Sequence, residues 1–215
     1  MKKFITLFSL IIALLCCVGC ADGNLSSSNS SSQESEESSS TQTSISESGE
    51  TGTDKTAWLL AVDENRYVNF TYTTSATVSV DGDVVQTMEG EIKFTETGAH
   101  DRSVTKQGRT VIEEEQSFTQ AQLQDVKTAF FRDIAYFLTY ENYLYDSVED
   151  KYTLKQPIPY LYHGEPTGAT YTAIEIVFQD GFLYSLEVTC ESQNGDSTTI
   201  VVDSMRFFDF GVTVL

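Results

Sequence analysis

Basic residues are scarce in this chain: 13 Lys and Arg stand against 32 Asp and Glu in 215 residues, a formal net charge of −19. A sequence-independent nucleic-acid binder gains its affinity by neutralising phosphates with Lys and Arg, so that class is excluded. Adsorption of the folded surface to anionic lipid is disfavoured for the same reason. Imidazoles are scarcer still, His100 in "TGAHDRS" and His163 in "YLYHGEP", both loop-like contexts. No G-x-S-x-G turn, no H-E-x-x-H helix and no glycine-rich phosphate loop occurs. The chain is therefore expected to be no enzyme, and to need no cofactor and no metal. Asp81 and Asp83 in "VDGDV" do not continue into the loop of an EF-hand. The acidity reads as solubility beside a negatively charged envelope, with calcium binding as the alternative.

Cysteine is rare as well, with three of the four packed into "LLCCVGC". Cys16, Cys17 and Cys20 lack the paired C-x2-C or His ligands of tetrahedral zinc sites. Cys190 lies in register with Leu186 and Val188 and reads as a small buried hydrophobe. Only one long apolar run exists, Phe4 to Val18, preceded by Lys2 and Lys3. At about 15 residues it falls short of the roughly 20 that a spanning helix needs, and it reads as an export signal over residues 1–19.

After that run, Val18-Gly19-Cys20 resembles the lipobox of bacterial lipoproteins, with Cys17 where that family usually has Leu. The resemblance implies that the Cys20 thiol receives a diacylglycerol group and that Cys20 becomes the mature N-terminus. The domain is then anchored to the extracytoplasmic face of the cell membrane. Each buried acyl methylene contributes about 0.8 kcal/mol, and two or more chains anchor stably. Cys16 and Cys17 would leave with the signal.

Residues 20–55 are rich in Ser, Glu and Thr, with little to bury, and are expected to be a disordered tether. A functional alternative is that these serines are modified or recognised. The folded domain is expected over residues 56–215. It opens with a short helix carrying Trp58, Leu59 and Val62 behind a Thr53 or Asp54 cap. Strict alternation then marks strands: Phe70, Tyr72, Ala76, Val78 and Val80 alternate with polar residues up to an Asp81-Gly82 turn. Met88, Ile92 and Phe94 return. Two weaker strands are expected around Arg102 to Lys106 and Thr110 to Glu115; Glu113, Glu114 and Glu115 alternate faces there as a solvated edge.

Thr119, with Gln122 three residues on, can cap a long amphipathic helix whose stripe is Leu123, Val126, Phe130, Ile134 and Phe137. A small hairpin, Tyr143 to Asp146 facing Lys151 to Lys155, ends at Pro157 and Pro159. Strands separated by Asp180-Gly181 and Asn194-Gly195 complete the chain. The sum is an α+β fold. Seven to nine antiparallel strands form a curved sheet, with the short N-terminal helix and the one long amphipathic helix packed on one face.

That order, with "YDSVEDKYTL", "FQDGFLYSLEV" and the closing "FFDFGVTVL", resembles half-barrel lipoproteins and carriers of the LolA and LppX type, and most of all uncharacterised Firmicutes lipoproteins sharing such phrases. The group often closes on a glycine and a short apolar strand. The resemblance implies an apolar cavity for acyl chains between helix and sheet, and hence a non-catalytic binding module for an apolar or amphiphilic ligand. Residues 130 to 162 are rich in Phe and Tyr, which either fill that space or line it. Phe130, Phe137, Tyr140 and Tyr143 are the candidate ligand contacts. The alternative is a cell-envelope module with a solid core that meets another protein.

Overall fold

The computed structural model describes residues 55–135, 137–162 and 165–215. The expected signal, Cys20 and the tether up to residue 54, together with Tyr136 and His163, lie outside the described residues. Among the described residues two α-helices, α1 (Lys55–Ala61) and α2 (Gln120–Ala135), accompany one sheet of ten strands. In chain order the strands are β1 (Phe70–Val80), β2 (Asp83–Phe94), β3 (Gly98–Gln107), β4 (Thr110–Thr119), β5 (Tyr143–Asp146), β6 (Lys151–Leu154), β7 (Ile158–Tyr162), β8 (Glu165–Gln179), β9 (Phe182–Asn194) and β10 (Ser197–Phe208).

The sheet runs β4-β3-β2-β1-β10-β9-β8-β6-β5, with β7 beside β6 along the edge of the long β8. All pairings are antiparallel, and β1 meets β10, so the first and last strands lie together in the middle of the sheet. Tight hairpins fix the register. Asp81 (φ 52) with Gly82 (φ 89), and Asp180 (φ 52) with Gly181 (φ 75), both place two left-handed residues at the bend, the geometry that matches strand twist. The third hairpin bends one residue later than the sequence suggests, with Gly195 left-handed and Asn194 still in β9.

Strand β1 shows the alternation physically. Phe70, Tyr72, Thr74 and Ala76 are buried on the helix-facing side, while Ser75 is exposed on the other. One departure concerns β3 and β4, each ten residues where the sequence suggested shorter, weaker strands. They are in continuous register over all ten residues, and Gly98 sits where an added Cβ would lie 2.5 Å from the Phe118 carbonyl oxygen. Backbone pairing, not apolar alternation, carries this hairpin. His100, expected in a loop, lies on β3, where its Nε2 reaches the Glu115 carboxylate at 2.8 Å.

Helix α2 starts where its capping residues place it. The Gln122 side-chain oxygen accepts from the Thr119 N–H at 3.1 Å and from the Thr119 hydroxyl at 3.0 Å. Its buried stripe is Val126, Phe130 and Ile134, widened by Phe131. Phe137 is buried but is not part of the helix, which ends at Ala135; the Phe137 N–H donates to Ile134 in a closing turn. At 1.5 Å per residue the helix spans about 24 Å, against about 38 Å from β4 to β5 at 4.8 Å per strand. It therefore covers only part of the inner face. Residues 209–215 form no strand, where the family resemblance implied a short apolar one. After β10, Asp209 (φ 55) and Gly211 (φ 78) fold residues 209–215 back. The Gly211 N–H donates to Asn69, while Val212 and Val214 are exposed. Among the described residues no helix is long and apolar enough to cross a membrane.

Candidate functional site

Two kinds of surface share the inner face. The first is aromatic. Phe70, fully buried, stacks on Phe94 at 4.7 Å between ring centroids and lies within 6.4 Å of Tyr67, Phe130, Phe131, Phe207 and Phe210. Beside it, Trp58 of α1 meets Tyr152 and Phe178 at 4.9 Å, Tyr140 at 5.3 Å and Tyr143 at 5.4 Å. Its indole N–H donates to the Leu138 carbonyl at 3.0 Å. Aromatic pairs of this kind contribute about 0.5–1.5 kcal/mol beyond their buried area.

Two tyrosine hydroxyls tie the helical pieces down. That of Tyr67 donates to the Ala61 carbonyl at 2.5 Å and accepts from the Leu183 N–H at 2.8 Å, joining α1 to β9. Burial pushes its phenol up to about 12. The Tyr143 hydroxyl donates to the Phe137 carbonyl, and burial raises its phenol strongly too.

The four candidate ligand contacts belong to this aromatic surface. Phe130 lies at 4.7 Å from Tyr72, Phe137 at 4.9 Å from Tyr171, and Tyr140 and Tyr143 lie on Trp58. Phe130, Phe137 and Tyr143 are buried, and Tyr140 is partly buried. They do not form one group: Phe130 packs under α2, Phe137 on Tyr171, and Tyr140 and Tyr143 on Trp58.

The second surface is mixed. Moving along β1 past Tyr72, the inner rows read Met205, Thr74, Gly90, Ser103, Glu114 and then Asp203, Ala76, Met88, Thr105, Ile112. Thr74, Gln86, Ser103 and Asp203 are buried there among Ala76, Met88 and Val201. The Thr74 hydroxyl donates to Asp203 Oδ1 at 2.5 Å. One row away, Asp101 stands across Ile92 from Tyr72, and its buried Oδ1 has no hydrogen-bond partner.

Burial pushes both carboxyls up to about 6, Asp101 against an opposing pull from His100, Asp203 against the Thr74 hydrogen bond. The Tyr72 phenol is raised well above its usual value, first by burial and then by the charge of Asp203. Inner register positions carry Asp101, Glu114 and Asp203, whereas Lys93, His100, Arg102, Lys106 and Arg206 take the alternate, outer ones. Sequence reasoning missed Asp101 and Asp203 as a pair. The available signal was an acid on the apolar register of a strand, at Asp203 between Val201 and Met205.

Cys190 is a free, buried thiol, pushed up by burial to about 11, and so a poor nucleophile. Among the described residues no group of three or more His, Cys, Asp or Glu is placed to hold a metal ion.

No protein-family model and no curated protein sequence matches this chain. Among solved structures, a LolA superfamily protein from Nitrosomonas europaea is a weak neighbour. It shares 7% identity over 70% of this chain and 92% of its own, at a TM-score of 0.21. At that score the likeness carries no argument about ligand or mechanism.

Proposed function

We propose that this chain is an exported lipoprotein, anchored through Cys20 to the extracytoplasmic face of the cell membrane. Its domain binds an apolar or amphiphilic ligand on the inner face of the sheet without transforming it chemically. One observation carries the binding reading: beside the ring-packed region the inner face becomes a mixed surface, with Ala76, Met88 and Val201 among buried polar groups and an Asp101 oxygen that has no partner. Small-molecule sites combine mostly apolar walls with a few placed polar groups in this way. An isolated buried acceptor costs about 1–3 kcal/mol, which a ligand donor would offset. The sequence resemblance to LolA and LppX carriers points to the same class.

A second reading has its own observation. Phe130, Phe137 and Tyr143 are all engaged with other rings, as in a solid core. On that reading the domain works through its surface and meets another envelope protein.

Purification of the full chain from its native host, followed by native mass spectrometry, separates the two. Binding predicts a co-purifying amphiphile, and its loss from a Met88→Trp variant that retains its circular dichroism. A bare protein that also takes up no fluorescent fatty acid overturns binding in favour of the solid module. For anchoring, Cys20→Ala should move the protein from the membrane fraction to the soluble one; continued acyl-dependent membrane attachment overturns that assignment.

A further inference from the structure

Strand β4 forms one edge of the sheet. Its neighbour on one side is β3, and among the described residues no strand pairs its other side. Nine of its ten residues are exposed. An open edge presents a row of unpaired N–H and C=O groups, which proteins usually guard with short strands, proline, bulges or charge. The opposite side of the sheet is guarded by shortness, in the four-residue β5, and β7 is short and contains Pro159. Strand β4 has none of these structural guards. It is about 34 Å long at 3.4 Å per residue, lacks proline, and keeps an unbroken register with β3. Its one guard is charge, and all of that charge is negative.

Those charges are largely unneutralised within the sheet. Across the ladder Glu113 faces Val104 and Glu114 faces Ser103. Glu115 faces Arg102 and pairs with His100. Antiparallel pairing of two copies centred on Glu114 would set Glu113 against Glu115 and Glu114 against itself, and like charges directly opposite are destabilising. The same glutamates that repel a second copy favour a cationic strand. Toward the hairpin tip, Val111 and Ile112 are exposed at 57% and 48%, offering apolar contacts on opposite faces of the edge.

We propose that β4 is a docking edge for an extended, lysine- or arginine-bearing segment of another protein, which adds beside it as a further strand. Main-chain hydrogen bonds would supply affinity, and the glutamate run and the two apolar side chains would supply selectivity. This surface is distinct from the inner face and stands whether or not that face holds a ligand.

The probe is a ten-residue peptide alternating lysine and valine, titrated against the full chain at low ionic strength. Controls are the same peptide N-methylated at alternate residues, and its glutamate counterpart. The lysine peptide should bind and slow amide hydrogen exchange across residues 110–119, with neither control doing so. The double variant Glu113→Lys/Glu114→Lys should weaken binding about tenfold, the sum of two reversed cross-strand charge pairs. Its circular dichroism should be unchanged, because both side chains are exposed. Equal binding of the N-methylated peptide would mean charge adsorption without strand addition and overturns the proposal. So does absence of binding, or exchange protection confined to other strands.

Discussion

The inner face of this sheet contains two regions built on the same alternation with opposite physical outcomes. Around Phe70 and Trp58 the inward positions are packed with rings, and the Tyr67 hydroxyl and the Trp58 indole N–H both have partners, although the buried Asn69 Oδ1 beside Phe70 has none. Four residues further along β1 the inward position is Thr74, which is hydrogen-bonded to the buried Asp203, with the buried Ser103 in its row beyond Gly90. There a buried oxygen of Asp101 lacks a partner. The first region supplies stability. The second gives some of it up, since burying a carboxyl is unfavourable unless it is neutralised or well paired. The proposed ligand surface is the one where the apolar face gives up stability.

The largest effect should come from breaking the ring region. Phe70→Ala removes a fully buried ring at the centre of its cluster and should cost about 3–5 kcal/mol in denaturant unfolding. A cost near that of an exposed substitution would mean the cluster can collapse and is not the domain's anchor.

Next in size is the carboxyl region, tested through pH. Asp203 has a folded value of about 6, above its ordinary one of 3.8, so the folded state holds the proton more tightly than the unfolded chain. Stability should therefore be greatest at or below pH 4, fall as pH rises toward about 6, and level off above. Asp101, also raised to about 6, acts in the same direction. Asp203→Asn keeps an acceptor for Thr74 and removes the charge. It should raise stability at pH 8 by about 2–3 kcal/mol, the equivalent of two pKa units, and flatten part of the slope. An unchanged pH profile would show that the carboxylate is compensated in the folded state and would dissolve the contrast between the regions.

Smallest is the loss of one polar link in the ring region. Tyr67→Phe leaves the buried Leu183 N–H and the Ala61 carbonyl without the hydroxyl that joins them. It should cost about 1–2 kcal/mol with the fold retained. Hydrogen exchange at Leu183 should quicken; if it does not, water has replaced the hydroxyl.

Much of the architecture could be read locally. The Asp81-Gly82 and Asp180-Gly181 turns and the alternating runs around them depend on residues next to one another, and the strands stand there. Gln122 caps α2 through Thr119 for the same reason. Reading was weakest where local pattern and pairing diverge. The β3–β4 hairpin is polar on both faces, so its ten-residue register comes from backbone pairing and not from burial. Phe137 continues the helical spacing but packs against Tyr171 from a turn, since the contact that holds it lies across the fold.

The sequence by itself determined most of the strand and helix order, the Asp81-Gly82 and Asp180-Gly181 bends and the acidic balance, because each rests on the period and chemistry of neighbouring residues; it did not show β7, which is held by pairing with β8. Only the tertiary structure decided that Asp203 is buried against Thr74, that Trp58 closes over Tyr152 and Phe178, and that the glutamates of β4 lie on an open edge. These depend on which strands become neighbours, and burial and electrostatics act between residues that the chain keeps far apart.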